Sequence, residues 1–282
     1  MKLAMRAFLF VLSVLCFLPL PVRAAEQSAS WRQRVSSEST DVAKEDVAAE
    51  IQFGREIAAR LAGRFGIYDN PRAMKYVNLV GRVLSLNTNR PELEYHFAIL
   101  NTSEINAYAA PGGYVFVTKG ALEKMQDESE LAAVLAHEMI HINERHVVKE
   151  LHIRGAEGGA TAGLARLIGG GTESARIAFY QAVDKALDLL FKDGYGKADE
   201  IQADQGAVLL SALSGYDPSG LIKYFDRISM IKGKATETLD KTHPPFGDRI
   251  AWLKDMIAKE GIDTASLRTY ADRFSDVQKS VK

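Results

Sequence analysis

Cysteine is almost missing: the 282-residue chain has one, Cys16. No intrachain disulfide can form, so stability must come from packing or from a bound metal. An excess of either charge is also missing. Lys and Arg number 35 against 36 Asp and Glu, for a net charge of −1, which excludes the basic footprint of a nucleic-acid binder. Long hydrophobic runs are confined to the N-terminus. The run there, Ala7 to Leu20, is about 14 residues, whereas a helix needs roughly 20 to cross a hydrocarbon core. No low-complexity tract or internal repeat interrupts the rest. What remains, 47% hydrophobic and 25% charged, is the composition of a globular protein large enough to bury a core without staples.

The N-terminal run has a second meaning. Lys2 and Arg6 precede it, and Val22-Arg23-Ala24 closes it on a small residue, the three-part pattern of a secretory signal peptide. Residues 1–24 are expected to be cleaved near Ala24, giving an exported, periplasmic protein of 32 basic and 36 acidic residues. Residues 25–40, rich in Ser, Gln and Glu, read as a flexible leader, and 41–282 as a single domain.

Apolar positions from Asp41 to Gly66 recur at helical spacing, and Asn70-Pro71 opens a second amphipathic helix. Glu94 to Leu100, Ile105 to Ala109 and Tyr114 to Thr118 are short, β-branched and aromatic, and are expected to form a small sheet. Helix is expected from Asp127 to about Leu151, from Thr172 to Phe191 and from Lys197 to Leu213. A further one runs from Pro218 to Ile231, with Asp217 as cap. Gly155 to Gly171 carries seven glycines and reads as a mobile connection. Lys232 to Lys241, with Gly233, reads as a flexible loop, and Asp248 to Lys259 as the last helix, ended by Gly261. The fold class expected is α+β, mainly helical, with a small sheet beside one central helix.

That central helix carries His137-Glu138-Met139-Ile140-His141, the H-E-x-x-H spacing of zinc peptidases. At 100° per residue, positions four apart lie about 40° apart on one face, so both imidazoles can reach one ion. Glu138 lies about 100° from His137 and can approach a water beside the ion without ligating it, as a general base must. The surrounding turns are apolar (Leu131, Val134, Leu135, Ile142), and polar groups on a buried helix need a partner. A catalytic zinc takes three protein ligands and leaves one position open. Without cysteine the third must be His, Asp or Glu. Glu200 and Asp204, four apart on one helix face, are the candidates: one can ligate while the other hydrogen-bonds a ligating imidazole.

These motifs occur in a recognisable order: Asn106-Ala107-Tyr108-Ala109-Ala110-Pro111-Gly112-Gly113, then the HEMIH helix, then Glu200-x-x-Ala203-Asp204, then Thr242-His243-Pro244-Pro245. Together they resemble metallopeptidase family 48, the gluzincins that include HtpX and the CAAX prenyl protease, from about Glu50 to Ile257. The resemblance implies a zincin-like fold, one Zn2+ per chain held by His137, His141 and Glu200, Glu138 as general base, and Asp204 as the orienter of a ligating histidine. It also puts His243 near the zinc, either as a donor to a developing oxyanion or as a ligand that shuts the open position, and Arg249 near the carboxylates. The chain is more similar to the secreted envelope members than to the membrane-embedded ones. His146 and His152 fall off the 137/141 face and His96 lies in a strand, so all three read as structural or surface residues.

The function expected is a zinc-dependent endopeptidase of the bacterial envelope that cleaves unfolded or misassembled proteins. Its substrate would be extended polypeptide added to the edge of the sheet near Asn106 to Thr118, with peripheral association with envelope assembly machinery as a further expectation. The alternative is a chaperone-like assembly factor whose zinc site is largely closed.

Overall fold

The computed structural model describes residues 44–151 and 171–281. The expected signal peptide and leader, Cys16, His152 and all but the last residue of the glycine-rich connection lie outside the described residues. Among the described residues, no helix is long and apolar enough to cross a membrane.

The first helix, α1 (Lys44–Phe65), aligns Phe53, Ile57 and Leu61 on one fully buried stripe and stops at Gly66, whose φ of 73° closes the last turn. In α2 (Pro71–Ser85), Asn70 accepts a hydrogen bond from the Ala73 amide at 3.0 Å and proline occupies the first turn, the cap chemistry expected of Asn-Pro. Three strands follow: β1 (His96–Leu100), β2 (Ala107–Ala110) and β3 (Tyr114–Thr118). The order in the sheet is β1-β3-β2, with β1 parallel and β2 antiparallel to β3.

Both faces of this sheet are buried, because successive side chains point to opposite sides. Ala107, Ala109, Val115 and Val117 enter one core, while Tyr108, Ala110 and Phe116 enter a second core against α1. Thr118 then caps α3 (Lys119–Lys124) through the Ala121 amide.

At the centre is α4 (Glu128–Asn143), opened by Asp127 on the Glu130 amide at 3.0 Å. Every residue of it but Ile140 is buried, so any polar side chain it bears must be satisfied from inside the protein. The helix expected to continue to Leu151 instead breaks at Arg145, whose φ and ψ of 58° and 35° are left-handed, before α5 (His146–Glu150). A non-glycine residue there costs roughly 1–2 kcal/mol, and the ion pair from Arg145 Nε to the buried Glu50 at 3.2 Å helps to hold it.

The remaining helices wrap α4. They are α6 (Glu173–Asp188), extended by a π-helical turn over Leu189–Asp193, and α7 (Lys197–Leu213), which makes the broadest contact with α4. After them come α8 (Gly220–Ser229), α9 (Glu237–Thr242), α10 (Phe246–Glu260) and α11 (Ala271–Val281). Three of these differ from expectation. Helix α8 starts two residues beyond Pro218, with Asp217 capping Ser219 through its amide and hydroxyl at 2.9 and 2.7 Å. The segment read as a flexible loop is anchored by Ile105 N–H on Ala235 O at 2.7 Å and contains all but the last residue of α9. Helix α11 was not expected, and it buries Phe274, Val277 and Val281. The fold class is the one expected: mainly helical α+β and zincin-like, with a small sheet beside the H-E-x-x-H helix.

Candidate metal centre

Helix α4 presents His137 and His141 one turn apart, with their Nε2 atoms separated by 3.1 Å. Helix α7 brings Glu200 against both: its carboxylate oxygens lie 3.8 Å from His137 Nε2 and 3.5 Å from His141 Nε2. The fourth side chain comes from the end of α9. His243 Nε2 stands 3.7 Å from Glu200 Oε1, and His137, Glu200 and His243 offer ligand atoms that all lie within 4.8 Å of one another. A tetrahedral zinc with bonds of 2.0–2.1 Å needs ligand atoms about 3.4 Å apart, and the measured separations bracket that value.

Glu200 provides the test of fit. It is fully buried, and neither carboxylate oxygen accepts a hydrogen bond; the nearest cation, Arg249, is an ion-pair partner at 3.5 Å. Burial pushes its carboxyl upward, with Arg249 and His137 opposing. A buried carboxylate without hydrogen bonds is costly, and a cation among these four groups would satisfy it. The donor set, imidazoles plus one carboxylate, suits zinc.

The outer contacts assign Asp204 to a particular histidine. Asp204 Oδ1 lies 3.0 Å from His137 Nδ1, and Arg249 donates to both carboxylate oxygens at 2.7 and 2.9 Å. Burial would raise the Asp204 carboxyl, yet Arg249 and His137 hold it well below the usual range. His137 is pushed down by burial but raised overall by Asp204 and Glu200. Arg249 is itself buried, its guanidinium 4.2 Å above the Phe225 ring.

His141 is held differently, by His146, which takes the structural one of its two expected roles but meets the site it was expected to face away from. His146 is fully buried, and its Nδ1 lies 2.8 Å from His141 Nδ1. On an unbroken helix the two residues would be about 140° apart; the left-handed Arg145 turns the chain so that they meet. The other ring nitrogen of His146 faces Gln202 Oε1 at 3.1 Å and Asp199 Oδ1 at 3.5 Å. Burial lowers both histidines, His141 strongly and with His137 adding to the effect. His96, by contrast, is an exposed strand residue stacked on Tyr114 at 5.1 Å, as a surface role requires.

Tyr195 was missed entirely. Its ring stacks on His141 at 4.1 Å and 18°. It follows Gly194, where an added Cβ would lie 2.1 Å from Thr242 O. That close approach sets the chain just before His243, and nothing in the local sequence signals a contact nearly fifty residues away.

Glu138 sits buried beside the cluster, and burial pushes its carboxyl up to about 7. With His137 and His243 it lines a small cavity of about 30 Å³, otherwise walled mainly by apolar side chains such as Val134, Leu221 and Phe225. Asn106 and Ala107, at the start of β2, complete the rim, so an outer strand of the sheet borders the site.

The family model of Peptidase family M48 matches residues 71–257, which include the H-E-x-x-H helix, Glu200, Asp204, His243 and Arg249. The chain is 26% identical over 226 residues to the beta-barrel assembly-enhancing protease of Escherichia coli (strain K12), covering 73% of this chain and 43% of that protein. It is 25% identical over 210 residues to metalloprotease YcaL of Escherichia coli (strain K12), covering 74% and 76%. It is also 27% identical over 157 residues to the mitochondrial metalloendopeptidase OMA1 of Arabidopsis thaliana, covering 54% and 29%. The chain spans less than half the length of the beta-barrel assembly-enhancing protease of Escherichia coli (strain K12).

Proposed function

The chain belongs to peptidase family M48, and from that premise we propose that it is a zinc-dependent endopeptidase of the bacterial envelope that cleaves unfolded or misassembled proteins. The observation that carries the reading is Glu200: a fully buried carboxylate with no hydrogen bond to either oxygen, facing two histidine Nε2 atoms at 3.5 and 3.8 Å. His137, His141 and Glu200 are the residues that would hold the ion, one per chain. When bound, zinc supplies a Lewis acid that polarises the scissile carbonyl and activates a water.

The remaining steps belong to the chain. Glu138 takes the proton of the attacking water on its carboxylate and returns it to the leaving amide nitrogen. Burial raises its carboxyl to about 7 in the metal-free protein, which makes it a stronger base than an exposed glutamate. Asp204 and Arg249 keep the His137 ring fixed. The outer strand β2 borders the site and is buried as arranged, so its edge would have to open before an extended substrate could be added beside it. Such a substrate would take its affinity from main-chain hydrogen bonds and demand little sequence. That suits unfolded polypeptide, and the role is in keeping with a relative whose name is beta-barrel assembly-enhancing protease. Export rests on the pattern of residues 1–24.

A second reading is favoured by His243. Its Nε2 lies 3.7 Å from Glu200 Oε1, among the groups that could hold one ion, so His243 would fill a fourth position and close the site, as in a chaperone-like assembly factor. The test is digestion of unfolded casein by the purified chain, with metal analysis, before and after chelation. Turnover that is lost on chelation and restored by zinc supports the endopeptidase. A zinc-loaded protein that binds casein without cleaving it supports the second reading.

A further inference from the structure

Two histidines one turn apart on α4 face the same site yet are held by different chemistry. His137 Nδ1 meets a carboxylate, Asp204, which Arg249 clamps with two hydrogen bonds. His141 Nδ1 meets a second imidazole, His146, at 2.8 Å. We propose that His146 is a positioning residue for the metal, acting through His141 by accepting its Nδ1–H and so fixing the tautomer and plane of that ring. The inference rests on reading His141 as a ligand.

The protons can be assigned. Two Nδ1 atoms 2.8 Å apart share one proton. For His141 Nε2 to keep a lone pair for the ion, its own proton must sit on Nδ1. His146 Nδ1 is then the acceptor, and the proton of His146 sits on Nε2. An acceptor is present there: Gln202 Oε1 at 3.1 Å, with Asp199 Oδ1 at 3.5 Å. Each donor in the row therefore has an acceptor, and the row runs in one direction, from the ligand to α7. The opposite assignment puts a proton on His141 Nε2, aimed into the cluster, and leaves His146 Nε2 facing an oxygen with nothing to donate.

The surroundings suit positioning. His146 is fully buried, so water does not compete for its nitrogens. Tyr195, stacked on His141, restrains the same ring. Gln202 lies on the helix that carries Glu200, so α7 contributes both a ligand and the outer end of the row. The strained backbone at Arg145 is what delivers His146 to this place, and a strained residue beside a site is a mark of a geometry that matters. Removing the outer partner of a metal-bound histidine typically weakens metal binding 10- to 100-fold.

The experiment measures zinc affinity by competition with a chromophoric chelator, on the full chain, with circular dichroism to establish folding of the metal-free protein. His146→Leu keeps bulk and removes the acceptor, so it is expected to bind zinc about 10- to 100-fold more weakly. His146→Asn carries an amide oxygen near the position of Nδ1 and is expected to stay within a few-fold of the parent. Gln202→Met is expected to weaken binding by a smaller factor than His146→Leu. Folded His146→Leu with the parent's affinity overturns the proposal, as does equal weakening by His146→Leu and His146→Asn. Should His146→Leu fail to fold, the other two decide: near-parental His146→Asn together with weakened Gln202→Met supports it, and any other pairing overturns it. His141→Ala separates the levels. Zinc retained in that variant overturns the ligand assignment beneath the proposal, whereas zinc lost there but unaffected in His146→Leu overturns the proposal alone.

Discussion

Replacing Glu200 with glutamine keeps the side chain's shape and removes its charge, and the outcome should reverse sign with zinc. In the metal-free protein the carboxylate is fully buried without hydrogen bonds, 3.5 Å from Arg249. Bringing an ion into such a place carries a penalty of several kcal/mol, only part of which a single flanking cation recovers. Arg249 keeps Asp204 as its principal partner in the variant. Metal-free Glu200→Gln should therefore melt at or above metal-free parent. With zinc the order inverts. An ion at a thousand times its Kd stabilises the parent by about 4.1 kcal/mol, which at about 2–4 °C per kcal/mol for a domain of this size is roughly 8–16 °C. If loss of one ligand in three weakens binding about a hundredfold, the same zinc stabilises the variant by only about 1.4 kcal/mol, or roughly 3–6 °C. The assay is a pair of thermal melts, chelated and zinc-loaded, for each protein. Equal zinc-induced shifts would mean that the third ligand lies elsewhere. A metal-free variant melting several degrees below the parent would mean that the carboxylate is already satisfied by the fold.

Four further outcomes are expected. Glu138→Gln should retain zinc, measured by metal analysis, and lose casein hydrolysis by about 10²- to 10⁴-fold, since it cannot accept the proton. His243→Ala should retain zinc and raise casein turnover, because a position beside Glu200 opens; a fall of about 10²- to 10³-fold with zinc retained would make His243 an oxyanion donor instead. Arg249→Met leaves Asp204 buried without its cation and should cost about 3–5 kcal/mol, seen in a denaturant melt; a loss under about 1 kcal/mol would mean that His137 suffices for Asp204. N-terminal sequencing of protein recovered from the envelope should start at or near Ala25, and an intact Met1 in the cytoplasm would remove the export reading.

Local chemistry is enough to read much of this protein from its residues. The H-E-x-x-H spacing needs nothing but the pitch of one helix, and the capping of α2 by Asn70 or α4 by Asp127 needs only neighbours within a turn. The strands were legible because alternation, length and the Pro-Gly-Gly turn are all local, and Glu200 and Asp204 were paired because they are one turn apart. Contacts between distant segments were not legible. Which histidine Asp204 holds depends on how α7 crosses α4, and the answer, His137, comes with Arg249 from α10. The order β1-β3-β2, with a parallel pair, is a matter of which edges meet. A continuous helix turns His146 away from His141, and a single left-handed residue, Arg145, which no propensity favours, reverses that. His243, Gly194 and Tyr195 converge from separate elements for the same reason. A helical period places side chains relative to their own axis, and only packing places one axis against another.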